Sequence, residues 1–371
     1  MTRRRGNGEG SIYRTPNGRW CATLTIGYDG NGKRKRRYLY GRTKGEVLEK
    51  LNELRSEVGS GSVVEPSRTT VGEYCHNWLE TVAAQRVRMT TFANYRRLVE
   101  LHVIPDLGGV RLKQLEPMNV RVWQTALEKR GVSSHQRQAV YVLLKTILKN
   151  AIRLNLLARN PLDAIDKPRT ANKELQVLSP DEVRCLLEAT THHRLHALIA
   201  LAVSTGARQG ELFGLLWRDI DLASGVMTIQ RTLVEVSGHI EFGEPKTARS
   251  RRRVPLPRNA VRALREHRDR CPALPHPTML VFTDTEGNPL RRSNFIRRVW
   301  HPLLTKAELP SVKFHSLRHS HITNLLAAGG NLKAVSDRVG HSRTSMTADV
   351  YAHAVDGMQE ELVSKLDQQL G

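Results

Sequence analysis

The chain has 371 residues and carries 58 Lys and Arg against 36 Asp and Glu, a formal net charge of +22. That length fits two or three domains rather than one core, and 39% hydrophobic with 25% charged residues excludes wholesale disorder. The longest purely apolar run, Ala197 to Val203, is too short to span a bilayer, and four scattered cysteines with no CxxC pair indicate neither a disulfide framework nor a zinc finger.

The opening Met1-Thr2-Arg3-Arg4-Arg5 leads into Gly and polar residues rather than an apolar segment, so no export is expected and a reduced cytoplasm suits the chain. Ser11–Arg14, Arg19–Ile26 and Lys35–Tyr40 alternate in strand fashion between the turn formers Pro16-Asn17-Gly18 and Asp29-Gly30-Asn31-Gly32, which predicts a three-stranded antiparallel meander. Thr43 caps a predicted helix over Lys44–Val58, with Val47, Leu48, Leu51 and Leu54 on one face against the sheet. Gly59-Ser60-Gly61-Ser62 reads as a flexible linker.

Beyond Thr70 the pattern is helical: Val71–Ala84, Thr91–His102, Pro117–Lys129 and Ser134–Leu156, with breaks at Pro105–Gly109 and Asn160-Pro161. Asp166–Lys173 is polar and Pro-bearing, a second linker. Ser179-Pro180-Asp181-Glu182 is a capping box. An apolar helix over Leu195–Thr205 then ends at Gly206, strand-like runs follow at Val226–Val234, His239–Phe242 and Arg252–Leu256, and helices fill most of the remainder. The fold class expected is multidomain α+β, divided as residues 1–62, 68–168 and 174–371.

The charge is spread along all three. Residues 1–60 hold 14 basic and 6 acidic side chains, residues 61–170 hold 17 and 9, and residues 171–371 hold 27 and 21. A single basic tail would look different; an even excess points to one long polyanion facing every domain, and a long nucleic acid is the natural candidate. A merely solubilising basic surface is the duller reading. Of the cations 43 are Arg, which suits bidentate phosphate contact.

No G-x-x-x-x-G-K-[ST] loop for ATP and no acidic cluster spaced for Mg²⁺ occurs, so no cofactor and no metal are expected. Phosphodiester chemistry on those terms needs cationic side chains for the transition state, a nucleophile, and a proton donor for the leaving oxygen. Four stretches offer them: Thr205-Gly206-Ala207-Arg208-Gln209-Gly210-Glu211-Leu212; Pro245-Lys246-Thr247 before Arg251-Arg252-Arg253-Val254-Pro255; His315-Ser316-Leu317-Arg318-His319; and Gly340-His341-Ser342, followed by Tyr351.

In order, spacing and flanks these resemble the Arg, Lys, His-x-x-Arg, His, Tyr pattern of the tyrosine recombinases, the phage integrase family. The resemblance implies that Tyr351 attacks a DNA phosphodiester to form a 3′-phosphotyrosyl link, that Arg208 and Arg318 clamp the phosphate, and that Lys246 protonates the departing 5′-oxygen. His315 would assist proton transfer at the tyrosine, His341 would donate a hydrogen bond to the phosphate, and Glu211 would brace the Arg208 turn. Taken singly, each has a plainer use: Tyr351 as a half-buried helix tyrosine, Arg208 as a helix C-cap, Lys246 as one more phosphate anchor, His315 and His319 as a metal pair four residues apart. Their joint occurrence favours the catalytic set.

The same resemblance makes residues 68–168 an all-helical core-binding domain and the N-terminal sheet an arm-binding domain of a bivalent integrase, with Arg19, Trp20, Lys35, Arg36 and Arg37 as its contact face. Arg251 and Arg252 are also expected on DNA. The tail Glu360–Leu366 is expected to dock on its own or a neighbouring subunit. The implied function is integration of phage or mobile-element DNA by a homotetramer in a bacterial cytoplasm, with a host DNA-bending protein and a directionality factor as partners and no membrane role. A dimer-resolving recombinase, a type IB topoisomerase and a DNA-binding regulator with a decayed site are the alternatives; the N-terminal sheet argues against the first two and the filled catalytic positions against the last.

Overall fold

In the computed structural model the described residues are 10–28, 33–59, 68–170, 176–236, 238–243, 251–271 and 273–351, with positions 363, 367 and 370. Residues 60–62 of the first predicted linker, residues 171–173 of the second, Lys246 with its predicted bend, and all of the Glu360–Leu366 tail but position 363 lie outside them. The chain divides into two compact units, residues 1–171 and 172–371.

The first unit begins with the meander: β1 (Ser11–Arg14), β2 (Trp20–Tyr28) and β3 (Arg34–Gly41), antiparallel in that order. Helix α1 (Lys44–Gly59) starts where the Thr43 hydroxyl accepts from the Glu46 amide at 3.2 Å. Ala22, Leu24, Val47, Leu51 and Leu54 form its core. Leu48 departs from the expected face: it is 44% exposed, because 47, 51 and 54 follow the helical repeat and 48 lies a further 100° round.

Strand alternation also corrects the expected DNA face. Residue 37 pairs opposite Leu24 and residue 36 opposite Thr25, so Arg36 and Arg37 point to opposite sides of the sheet. Trp20 packs on the helix-side core, with Lys44 Nζ 5.8 Å from its ring centroid. The side away from α1 carries exposed Tyr13, Tyr38 and Tyr40 instead, with Arg36. Arg19 is exposed in the turn before β2; the side chain of Lys35 is outside the described set.

The rest of this unit is helical: α2 (Val71–Trp78), continued by a π turn at Leu79–Ala83, then α3 (Met89–His102), α4 (Pro117–Lys129) and α5 (Ser134–Arg153). Thr70 and Glu73 form a capping box. Asn160 ends the bundle by accepting from the Leu162 amide at 3.1 Å and donating to the Lys145 carbonyl at 3.1 Å. The Tyr141 hydroxyl lies 2.7 Å from the Leu162 carbonyl beside it.

The second unit holds the largest core. Helices α6 (Pro180–Thr190), α7 (His196–Thr205) and α8 (Gln209–Phe213) lead into β4 (Ile220–Asp221), β5 (Val226–Ile229), β6 (Thr232–Val236), β7 (His239–Gly243) and β8 (Arg252–Pro255). The single strand expected over Val226–Val234 is two: β5 sits between β4 and β8, whereas among the described residues β6 pairs with β7 alone, so the chain changes sheets at Gln230-Arg231. Helix α9 (Arg258–Asp269) follows, then α10 (Arg292–Phe295), which runs on through a π turn at Ile296–Trp300 to Lys306. Last come α11 (Ser316–Ala327), α12 (Leu332–Val339) and α13 (Ser345–Tyr351). Trp300 is fully buried and donates to the Val312 carbonyl at 2.8 Å. Among the described residues no helix is long and apolar enough to cross a membrane.

Candidate active site

Helix α7 is apolar on every side and buried from Ala197 to Ala202, so it is a fixed post. Gly206 stops it in the left-handed region at φ 60°. A Cβ there would stand 2.8 Å from His321 Cδ2, so both conformation and space require glycine. The freed chain turns at once into α8, with Arg208 at its N-cap. The Glu211 carboxylate accepts the Arg208 amide at 2.8 Å and Arg208 Nη1 at 3.0 Å. Arg208 Nη2 reaches the Gly340 carbonyl at 3.3 Å, and its side chain stays 37% exposed.

Arg318, on the first turn of α11, is 2% exposed and donates from Nη1 to the Gly206 carbonyl at 2.7 Å. Its Nη2 is buried with no hydrogen-bond partner among the described residues. Burial, then the charge of Arg208, lowers its pKa to about 9. A buried guanidinium edge with nothing to donate to is expensive, and it suits an anion.

His315 precedes α11. The residue is exposed, and its ring packs edge-on against His319, centroids 4.9 Å apart. Desolvation, then His319, Arg318 and Arg208, push its pKa to about 4. His341 follows Gly340, the left-handed stop of α12 at φ 69°. It is buried, its Nδ1 lies 2.8 Å from the Thr347 hydroxyl, and burial followed by the charges of Arg318 and Arg208 again gives about 4. Both imidazoles are therefore neutral at physiological pH.

Arg208, Glu211, Arg318, His315 and His341 thus share one neighbourhood. Tyr351 is the last residue of α13, whose Val350 packs with Ile322, Leu326, Val335 and Val339 and whose Thr347 holds His341. Its side chain, like Lys246, is outside the described residues.

Arg252 corrects an expectation. Rather than facing DNA, its side chain is 7% exposed: Nη1 and Nη2 reach the two Glu211 oxygens at 3.2 and 3.0 Å, and Nε donates to the Arg338 carbonyl at 2.7 Å. The signal was available, because Arg252 shares the strand face of fully buried Val254 while Arg251 and Arg253 alternate outward and are exposed. Arg338, His321 and Thr347 carried no such signal. Arg338 donates to the Ser204 and Pro255 carbonyls at 2.9 and 3.1 Å and from Nε to His321 Nε2 at 3.2 Å. His321 Nδ1 lies 2.9 Å from the Val203 carbonyl. These contacts tie the ends of α7, β8 and α12 together.

Residues 176–358 match the phage integrase family, and residues 70–127 match the phage integrase N-terminal SAM-like domain. A tyrosine recombinase XerC-like protein of Caldanaerobacter subterraneus subsp. tengcongensis is 32% identical, covering 93% of this chain and 95% of its own. Among solved structures, the Tn1549 transposon integrase in complex with a circular intermediate DNA shares the fold at TM-score 0.70 and 22% identity, over 80% of this chain and 99% of that one. A lambda integrase tetramer bound to a Holliday junction does so at 0.59 and 19%, over 94% and 96%. The 32% identity with the XerC-like protein along nearly the whole of both chains, with the two family regions in order, makes this chain a member of the phage integrase family, the tyrosine recombinases, and so an enzyme of site-specific DNA recombination.

Proposed function

We propose that the chain integrates mobile DNA by cutting and rejoining duplex DNA through Tyr351. The phenolate oxygen attacks the scissile phosphorus, a P–O bond to tyrosine forms, and the P–O5′ bond breaks. Lys246 delivers the proton that the departing 5′-oxygen takes up. Arg208 and Arg318 hold the non-bridging oxygens, a task for planar forks rather than point charges. His315, neutral, accepts the phenol proton; His341 acts in the tautomer whose Nδ1 accepts from the Thr347 hydroxyl, which keeps a proton on Nε2 for the phosphate. A different 5′-hydroxyl then reverses the step, so the ester's bond energy is conserved and ATP is not needed.

The observation that carries this reading is the Arg318 Nη2 edge, buried and without a partner among the described residues, beside the part-exposed Arg208. Positive charge held out of water is what a transferring phosphoryl group requires. We further assign residues 1–62 to arm-site binding, 68–168 to core-site binding and 174–371 to catalysis, in a homotetramer acting in a bacterial cytoplasm with a DNA-bending protein and a directionality factor. The tetrameric assembly of lambda integrase on a Holliday junction and the DNA complex of the Tn1549 integrase support the assembly and the substrate. In the arm domain the exposed tyrosines and Arg36 replace Trp20 and Arg37 as the contact face.

The test is trapping on a nicked suicide substrate. The wild-type chain is expected to form a covalent protein–DNA adduct, and Tyr351→Phe to bind the same site without forming it. A Phe variant that still yields adduct removes Tyr351 as nucleophile.

A further inference from the structure

The Glu211 carboxylate receives four donors. Oε1 takes Arg208 Nη1 at 3.0 Å and Arg252 Nη1 at 3.2 Å; Oε2 takes the Arg208 amide at 2.8 Å and Arg252 Nη2 at 3.0 Å. An ionised carboxylate has about four lone-pair sites, so the group is saturated. Burial alone would raise its pKa, but Arg252 and then Arg208 more than offset this and hold it below the ordinary carboxylate range. It is an anion, almost wholly out of water.

The charge count then matters. Arg208 with Glu211 alone is a neutral pair with little attraction for a phosphate. Arg252 makes the group a triad of net +1, with the surplus on the exposed guanidinium, since the side chain of Arg252 is 7% exposed and that of Arg208 37%. Arg252 also fixes the opposite wall. Its Nε holds the Arg338 carbonyl at 2.7 Å, and its Nη1 would stand 2.9 Å from a Cβ at Gly340, whose carbonyl accepts from Arg208 and whose successor is His341.

We propose that Arg252 is a positioning residue for DNA cleavage: by neutralising and saturating Glu211 it leaves the charge of Arg208 free for the scissile phosphate and holds the His341 turn at the matching distance. This rests on the reading of Arg208 as a phosphate clamp. Without Arg252, Glu211 has two open acceptor sites and draws the Arg208 guanidinium inward.

The experiment compares single-turnover cleavage of a normal suicide substrate with one carrying a methylphosphonate at the scissile position, where a methyl replaces one anionic oxygen and the group is uncharged. Arg252→Met is expected to bind the core site within about twofold of wild type and to cleave the phosphate about 100-fold more slowly, the scale of a misplaced catalytic group. On the methylphosphonate the deficit should shrink to about tenfold or less, because the uncharged ester asks less of Arg208. A purely structural role would give the same deficit on both substrates, and that result, or wild-type cleavage of the phosphate, overturns the proposal. Arg252→Gln, which removes the charge but keeps an amide donor for Glu211, carries the same comparison if the Met variant does not fold. Arg208→Ala is the reference: if its own deficit is equal on both substrates, the clamp reading fails; if it is relieved and that of Arg252→Met is not, the Arg252 proposal alone falls.

Discussion

His315, His321 and His341 each have a pKa pushed to about 4, first by burial and then by neighbouring positive charges. In the unfolded chain a histidine titrates near about 6.5. Between those values the unfolded state binds more protons than the folded one, so stability is full above about pH 6.5 and is lost as pH falls toward about 4. Urea midpoints measured from pH 8 to pH 4.5 should stay level at first and then decline through that window. Cleavage, by contrast, should show no acid limb near pH 6.5 from His315 or His341, since both stay neutral there; an inflection that disappears in His315→Gln would contradict this. His321 is a different case. With Nδ1–H donated to Val203 and Nε2 accepting from Arg338, both its nitrogens are occupied, and it acts as a rigid spacer behind the Gly206 turn.

Among the elements, the helix stops decide the site more than the helices do. Gly206 ends α7 and supplies the carbonyl that holds Arg318; Gly340 ends α12 and supplies the one that holds Arg208. Gly206→Ala would place a side chain in the left-handed region, a cost of about 1–2 kcal/mol, and drive its Cβ against a His321 ring that packing holds in place. The variant should lower the midpoint of urea unfolding and weaken cleavage together. An unchanged midpoint would mean that the turn relaxes freely. The helical pattern of α5, the apolar run of α7 and the capping box at Ser179 were legible in the sequence alone, because local hydrogen bonds and burial patterns are written locally. The split between β5 and β6 was not, because an uninterrupted run of strand-forming residues does not say which partner strand each half will find.

Across the whole chain, the first 60 residues contribute 14 of the basic and 6 of the acidic side chains. Removing residues 1–62 should therefore lower affinity for DNA and flatten its dependence on salt, since fewer counterions are released. Cleavage of an isolated core site should survive, while integration that depends on distal arm sites should be lost. Full recombination by the truncated chain in a two-site assay would refute the arm-binding role. The separate apolar cores of the sheet with α1 and of the helical bundle make such a truncation reasonable to attempt.

The sequence alone determined most of the order of elements and the excess of positive charge along the chain, because these depend on composition and period, and its resemblance to the phage integrases singled out Arg208, Arg318, His315 and His341. Strand alternation already parts Arg252 from Arg251 and Arg253, and Arg36 from Arg37; only the tertiary structure decided which side is buried and that Arg252 meets Glu211. Burial, unsatisfied donors and the neutrality of the histidines arise from groups more than a hundred residues apart, such as Arg318 and Gly206. Distances across a fold are set by packing, and no local pattern encodes them.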